Sequence, residues 1–340
     1  MKQIFFYVLC FLTVGMFACS DDDSEGGLQL KVNRNTMLAT GTDEVRFTVF
    51  QDGNDVTAQA VIKEIASGET LVNGVFTTTI AGTYSFVAEY AGAKSEAVVV
   101  EAEKGEGFKK NVLVMKFTAI GCQNCPRAEH AILDAEKEVP GRICPVSVYG
   151  TLGSMKDFMI EEYINSFQKY FQFNEYPHVM IDHSSKWNFM TGIKDMAFEK
   201  ALRANGEVGI ALETELQGDA LKVKVKVKGS KSIDYSTNLV VAGLENNLYA
   251  KQTGAETEAD NYHNHVVRRY LTDLYGNEYK IASGTLNATD EYVKTFDYKV
   301  PAEFKKENLE ILVYVLKTSD RSCLNCRNVL VGKKVDYETL

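Results

Sequence analysis

The sequence predicts a multidomain chain in which an α/β unit lies between two β-sandwiches. Three observations carry that prediction. At 340 residues the chain is too long for one core of ordinary size. Short strand-like runs separated by turn residues fill both ends. Between them an apolar strand, Val112 to Phe117, broken only by Lys116, gives way to helical spacing at Ala128, Ala131, Ile132 and Ala135.

The chain begins with a lysine at position 2, the apolar run Ile4 to Phe17, and then Ala18 and Cys19. Residues 1–18 read as an export signal, too short to be a spanning helix. Met16-Phe17-Ala18-Cys19 resembles a bacterial lipoprotein cleavage box, although Met and Phe depart from the commoner leucine and small residue. The resemblance implies that Cys19 becomes the lipidated first residue. Ser20-Asp21-Asp22-Asp23 resembles the acidic tag that directs lipoproteins of Bacteroidota to the outer cell surface, and residues 19–27 also read as a solvated tether.

Residues 28–103 alternate short strands such as Val45-Phe47-Val49 and Thr83 to Tyr90 with turns at Asp52-Gly53, Asn73-Gly74 and Ala91-Gly92. This pattern predicts a small immunoglobulin-like β-sandwich. No catalytic set stands in it, so it reads as a spacer or adhesive module.

A charged, glycine-bearing linker, Glu103 to Gly107, precedes the central region at 108–205. Its centre is Gly121-Cys122-Gln123-Asn124-Cys125-Pro126, where strand turns to helix. Unpaired N–H groups at a helix start favour a thiolate, so Cys122 is expected to be the nucleophile and Cys125 the resolving thiol. Pro126 is tolerated in a first turn because the N–H it lacks has no partner there. The spacing alone also suits an inert disulfide or a metal knuckle; for metal, His130 stands alone on the helix and Cys144 is distant in sequence, so no four-ligand set is assembled. Tyr176-Pro177-His178 then opens an apolar strand. Together these stretches resemble the thioredoxin fold, and the resemblance implies a central α/β thioredoxin-like domain with Tyr176-Pro177 as its cis-proline loop. Pro177 would then present backbone to a substrate, and His178 would approach Cys122. The aromatic residues from Phe158 to Phe171 recur at helical spacing and read as core. Asp195 to Ala204 reads as the closing helix.

Two departures from the thioredoxin pattern stand out. The position six residues before the first cysteine carries Lys116 in place of a buried acid. Pointing inward, it would favour thiolates and make the pair more oxidising. Gly121 replaces the usual tryptophan, which is expected to leave the thiols more open to a protein substrate.

Residues 206–340 read as a second β-sandwich of about eight strands. Leu221 to Lys228 alternates apolar residues with outward lysines. Cys323 and Cys326 fall in the predicted loop between the last two strands, where they suit a local disulfide, a second redox pair exchanging with Cys122 and Cys125, or free thiols or a metal site. His263 and His265 have metal-like spacing but no third ligand in sequence. Without Cys10 and with Cys19 acylated, five thiols remain. The odd number leaves Cys144, within an apolar run, as the expected free one.

A formal charge of −9 with no Lys/Arg cluster argues against nucleic acid as a partner. The order of these segments, with Phe117-Thr118, Cys122-Gln123-Asn124-Cys125-Pro126, Tyr176-Pro177 and Asn264-His265-Val266-Val267-Arg268-Arg269, resembles the twenty-eight-kilodalton outer membrane protein family of Bacteroidota, best from Phe108 onward. The resemblance implies an outer-membrane lipoprotein facing the periplasm or the cell surface. The sequence points to a thiol–disulfide oxidoreductase acting on protein thiols, oxidase- or isomerase-like, with no cofactor. The alternative is a non-catalytic binding or assembly lipoprotein.

Overall fold

The computed structural model describes residues 27–339 apart from 40, 42, 105, 106, 283 and 284. The export signal, Cys19 and nearly all of the tether lie outside the described residues.

Two small sheets form the first body. One joins Leu28–Val32, Val45–Gln51, Asn54–Asp55 and Val75–Phe76; the other joins Thr36–Leu38, Val98–Glu103, Gly82–Tyr90, Val61–Glu64 and Ala93–Lys94. Strand alternation sends Val45, Phe47 and Val49 inward and leaves Arg46 exposed. These residues meet Met37, Phe86 and Val100 in one core, with the Phe47 and Phe86 rings 4.7 Å apart. Gly74 is required at its turn: φ is +65°, and a Cβ would stand 2.8 Å from the Phe47 carbonyl oxygen.

The rest of the chain is built on a nine-stranded sheet. Its order is Ser185–Lys186, His178–Ile181, Val112–Thr118, Ile143–Tyr149, Val266–Tyr270, Thr237–Glu245, Leu309–Lys317 and Cys323–Leu330, with Lys280–Ala282 paired to Thr237–Glu245. Val112–Thr118 runs parallel to Ile143–Tyr149 and antiparallel to His178–Ile181. Both central strands are buried along their whole length, since layers cover both faces. On one face lie α1 (Cys125–Glu138) and α3 (Met196–Arg203), packing Ala128, Ile132 and Phe198 on Val112 and Val114. The Asp195 side chain starts α3 by accepting the N–H groups of Ala197 and Phe198. On the other face α2 (Glu161–Phe171) inserts Ile164 and Phe167 against Leu113, Met115 and Phe117. The expected aromatic stripe is therefore core.

The sheet brings its last strand back to the start of Val112–Thr118. The Asn325 side chain accepts from Asn111 N at 2.8 Å and donates to Val208 O at 2.7 Å and Lys109 O at 2.9 Å. A four-stranded sheet, Glu291–Lys299, Ala220–Gly229, Val208–Gln217 and Lys334–Val335, covers the outer face of this end. Val223, Val225 and Val227 pack there on Val241, Val313 and Val315, while Lys222, Lys224, Lys226 and Lys228 face away from that core.

The expected fold class is overturned by this arrangement. Among the described residues the fold is mostly β, with 45% in strands and 15% in helices, and no self-contained α/β thioredoxin-like core stands among them. The strands assigned to that core continue directly into those assigned to the C-terminal sandwich. The physical join is a parallel bridge between Ser147 and Val266, with Ser147 N donating to His265 O at 2.8 Å. Among the described residues no helix is long and apolar enough to cross a membrane.

Candidate functional site

Cys122 and Cys125 form a disulfide at the point where Val112–Thr118 hands over to α1. Cys122 N donates to Ala119 O at 3.0 Å, closing a turn, and Cys125 N donates to Cys122 O at 3.3 Å. The helix begins at Cys125 itself, with Pro126 in its first turn. Cys122 therefore precedes the helix, which starts at Cys125, one turn later than the sequence reading placed it.

Both cysteines are covered. Cys122 is 2% and Cys125 3% exposed, contrary to the open site expected from Gly121. The space a larger residue would take at 121 is filled: a Cβ there would lie 2.8 Å from Leu152 O and 3.5 Å from the Met155 sulfur. A second cover comes from Gln252 to Gly254. Gln252 Nε2 donates to Ile120 O at 3.0 Å and Cys122 O at 2.9 Å, and Thr253 N donates to Ile120 O at 2.9 Å. Gly254 has φ +80°, and a Cβ on it would stand 2.2 Å from Gln123 O. Tyr176 packs on the disulfide from a third side, and the Tyr176–Pro177 peptide is cis.

Beside Cys125 lies a cavity of about 310 Å³ lined by Lys116, Glu129, His130, Tyr149, Asp260 and His263, among others. Lys116 points inward, is 4% exposed, and is ion-paired with Glu129 on α1. Burial pushes the Lys116 ammonium down to about 7, because a charge out of water is costly even beside a carboxylate. His130 Nε2 lies 2.7 Å from Asp260 Oδ1. Burial acts to raise the Asp260 carboxyl, but the hydrogen bonds from His130 and from the N–H groups of Thr257 and Glu256 outweigh it and hold the pKa low.

The remaining expected residues fall elsewhere. His178 stacks on Phe173 with ring centroids 4.4 Å apart and also abuts Phe117; that aromatic contact fixes its place, and burial lowers its pKa. His263 and His265 part company. His263 Nδ1 lies 2.8 Å from the Tyr149 hydroxyl, and His265, whose φ is +53°, puts Nδ1 2.8 Å from Glu310 Oε2. Among the described residues no group of three His, Cys, Asp or Glu is arranged to hold a metal ion. Cys323 and Cys326 are not in a loop. They open the Cys323–Leu330 strand, buried, with free thiols. Cys144 is likewise buried and free.

The covering segment around Gln252 and the His130–Asp260 contact went unread in the sequence. Only Gly254 gave a local hint, as a turn residue, and nothing in the sequence links it to Gln123.

No curated protein matches the chain. Among solved structures, HBP35 of Porphyromonas gingivalis is 20% identical with a TM-score of 0.56, over 68% of this chain and 77% of that one; at this identity the likeness concerns the fold alone. A domain of the outer membrane lipoprotein Omp28 from Porphyromonas gingivalis is 18% identical over 37% of this chain and 95% of its own, with a TM-score of 0.26. A protein of Agrobacterium tumefaciens is 15% identical over 70% of this chain and 99% of its own, with a TM-score of 0.43. The family model described as outer membrane protein Omp28 matches residues 164–335, half of the sequence. The chain thus belongs to the Omp28 family of outer membrane proteins.

Proposed function

We propose that this outer membrane protein exchanges its Cys122–Cys125 disulfide with the thiols of other proteins, held at the membrane by a lipid on Cys19. A substrate thiolate attacks the Cys122 sulfur, the bond to Cys125 breaks, and Cys125 leaves as a thiolate that takes a proton. A second substrate thiolate then attacks the substrate sulfur of the mixed disulfide and releases Cys122, so the substrate gains a disulfide and the pair is left reduced. The reverse sequence reduces a substrate. The observation that carries this reading is the disulfide at the first turn of α1, opening on a cavity that also holds the buried Lys116–Glu129 pair. Lys116, which lines the same cavity as Cys125, gives a proton to the departing Cys125 thiolate. Pro177, next to the tyrosine that packs on the disulfide, offers backbone to an extended substrate, and His178 supports that segment from the aromatic core. Access to Cys122 requires Gln252 to Gly254, or the turn at Leu152 to Met155, to move aside.

The burial of both cysteines favours a second reading, an inert disulfide in a binding or assembly lipoprotein. Trapping separates the two. A Cys125→Ser variant held in an oxidising extract should accumulate mixed disulfides at Cys122, and a Cys122→Ser variant should not. Equal, negligible trapping in both would leave the binding protein as the reading.

A further inference from the structure

Three thiols meet far from the disulfide. Cys144, on Ile143–Tyr149, and Cys323 and Cys326, on Cys323–Leu330, are all free, all buried and all in one core cluster. Burial raises the pKa of the Cys326 thiol, and Cys144 and Cys323 beside it raise it further. Cys323 Sγ donates to Asn325 O at 3.3 Å, and Cys144 Sγ to Asn328 Oδ1 at 3.6 Å. They lie where the sheet closes, next to the bond from Asn111 Nδ2 to Cys326 O at 3.2 Å.

We propose that Cys144 and Cys326 form a second disulfide when the chain folds under oxidising conditions, stapling the Ile143–Tyr149 strand to the Cys323–Leu330 strand across the closure of the sheet. Three features select this pair. Cys323 and Cys326 share a strand, so a bond between them closes a small ring that constrains little. Cys144 and Cys326 come from segments far apart in sequence, so their bond removes much more freedom from the unfolded chain. The Cys323 thiol is also already turned to its own strand's Asn325 carbonyl.

The oxidant is a small disulfide such as glutathione disulfide. The Cys326 thiolate attacks one of its sulfurs and displaces a thiolate; the Cys144 thiolate attacks the Cys326 sulfur and displaces the second. Two protein thiols lose two protons and two electrons, and one small disulfide becomes two thiols. Cys122–Cys125 is not the donor. Cys144 pairs with Leu113 and Tyr149 with Thr118, so the two sites are about 17 Å apart along the strands. Burial raises the Cys326 thiol well above its ordinary range, which makes it inert once the sheet has closed and places the reaction during folding.

The test is disulfide mapping of the full chain, exported in a bacterial host and denatured with N-ethylmaleimide in the absence of reductant. The expected result is a cross-linked pair of peptides carrying Cys144 and Cys326, with Cys323 alkylated. Alkylation of all three thiols, or a link between Cys323 and Cys326, would overturn the proposal. A Cys323→Ser chain should keep the cross-link; its loss there would equally count against this pairing.

Discussion

Lys116 and Glu129 form an ion pair across the boundary between the central strand and α1, one helical turn past Cys125 and facing the same cavity. The pair sets a positive charge behind the disulfide where a buried acid was the pattern to compare with. It also couples the site to folding, since neither group is free to lose its partner.

Replacing Lys116 with methionine removes the titratable partner of Glu129 from this buried contact. The pH dependence has a definite sign. The folded ammonium titrates at about 7 and the unfolded one near the ordinary lysine value of 10.5, so between those values the unfolded chain binds more protons and stability rises with pH. Urea unfolding of wild type and Lys116→Met should show the wild-type advantage growing from pH 7 to pH 9.5. A gap that narrows over that window would contradict the placement of Lys116.

Gln252→Ala removes the donor shared by the Ile120 and Cys122 carbonyls. The loss is about 1–3 kcal/mol, and it falls on the segment that covers the disulfide. If about 1.4 kcal/mol of it appears as easier opening, reduction by a small thiol should accelerate about tenfold. Stopped reduction followed by alkylation measures this; an unchanged rate would mean that another segment gates the site.

Asn325 holds the closure of the sheet. Its side chain bonds Asn111, Lys109, Val208 and the Cys326 N–H. Asn325→Ala strands several buried backbone groups, so a loss of about 3 kcal/mol or more is expected in denaturant titrations. Asn325→Asp should recover the accepting bonds but not the donating ones, and fall between.

His183 is buried among Phe167, Phe171 and Tyr275. Burial, with Arg321 nearby, drives its pKa down to about 3. From pH 6.5 down toward 3 the unfolded chain is the better proton binder, so stability falls as pH falls. His183→Phe should flatten that acid slope, whatever its effect on absolute stability at φ +59°. An unchanged slope would place the acid sensitivity elsewhere.

The site was more legible than the fold around it. An apolar strand, two cysteines at a helix start and a proline-led strand are local signals, and Cys122, Cys125 and Pro126 can be read from spacing and pattern, whereas the inward direction of Lys116 comes from the structure. The fusion of the sheet was not readable. Ile143–Tyr149 is apolar throughout, so its free edge carries no mark of the distant Val266–Tyr270 strand it joins. Cys323 and Cys326 fall in the loop predicted between the last two strands, yet they open a strand in which Asn325 is buried as the polar bracket of the closure. The cover over the disulfide depends on Gln252 meeting main-chain carbonyls, a contact that side-chain pattern does not encode.

The most direct test of thiol exchange is the equilibrium of Cys122–Cys125 with glutathione buffers in the folded full chain, read by alkylation and mass. A working pair should be reversibly reduced, with a potential between about −120 and −230 mV, within the span of known exchange enzymes. A pair that stays oxidised down to about −300 mV would contradict exchange and make the disulfide a structural brace.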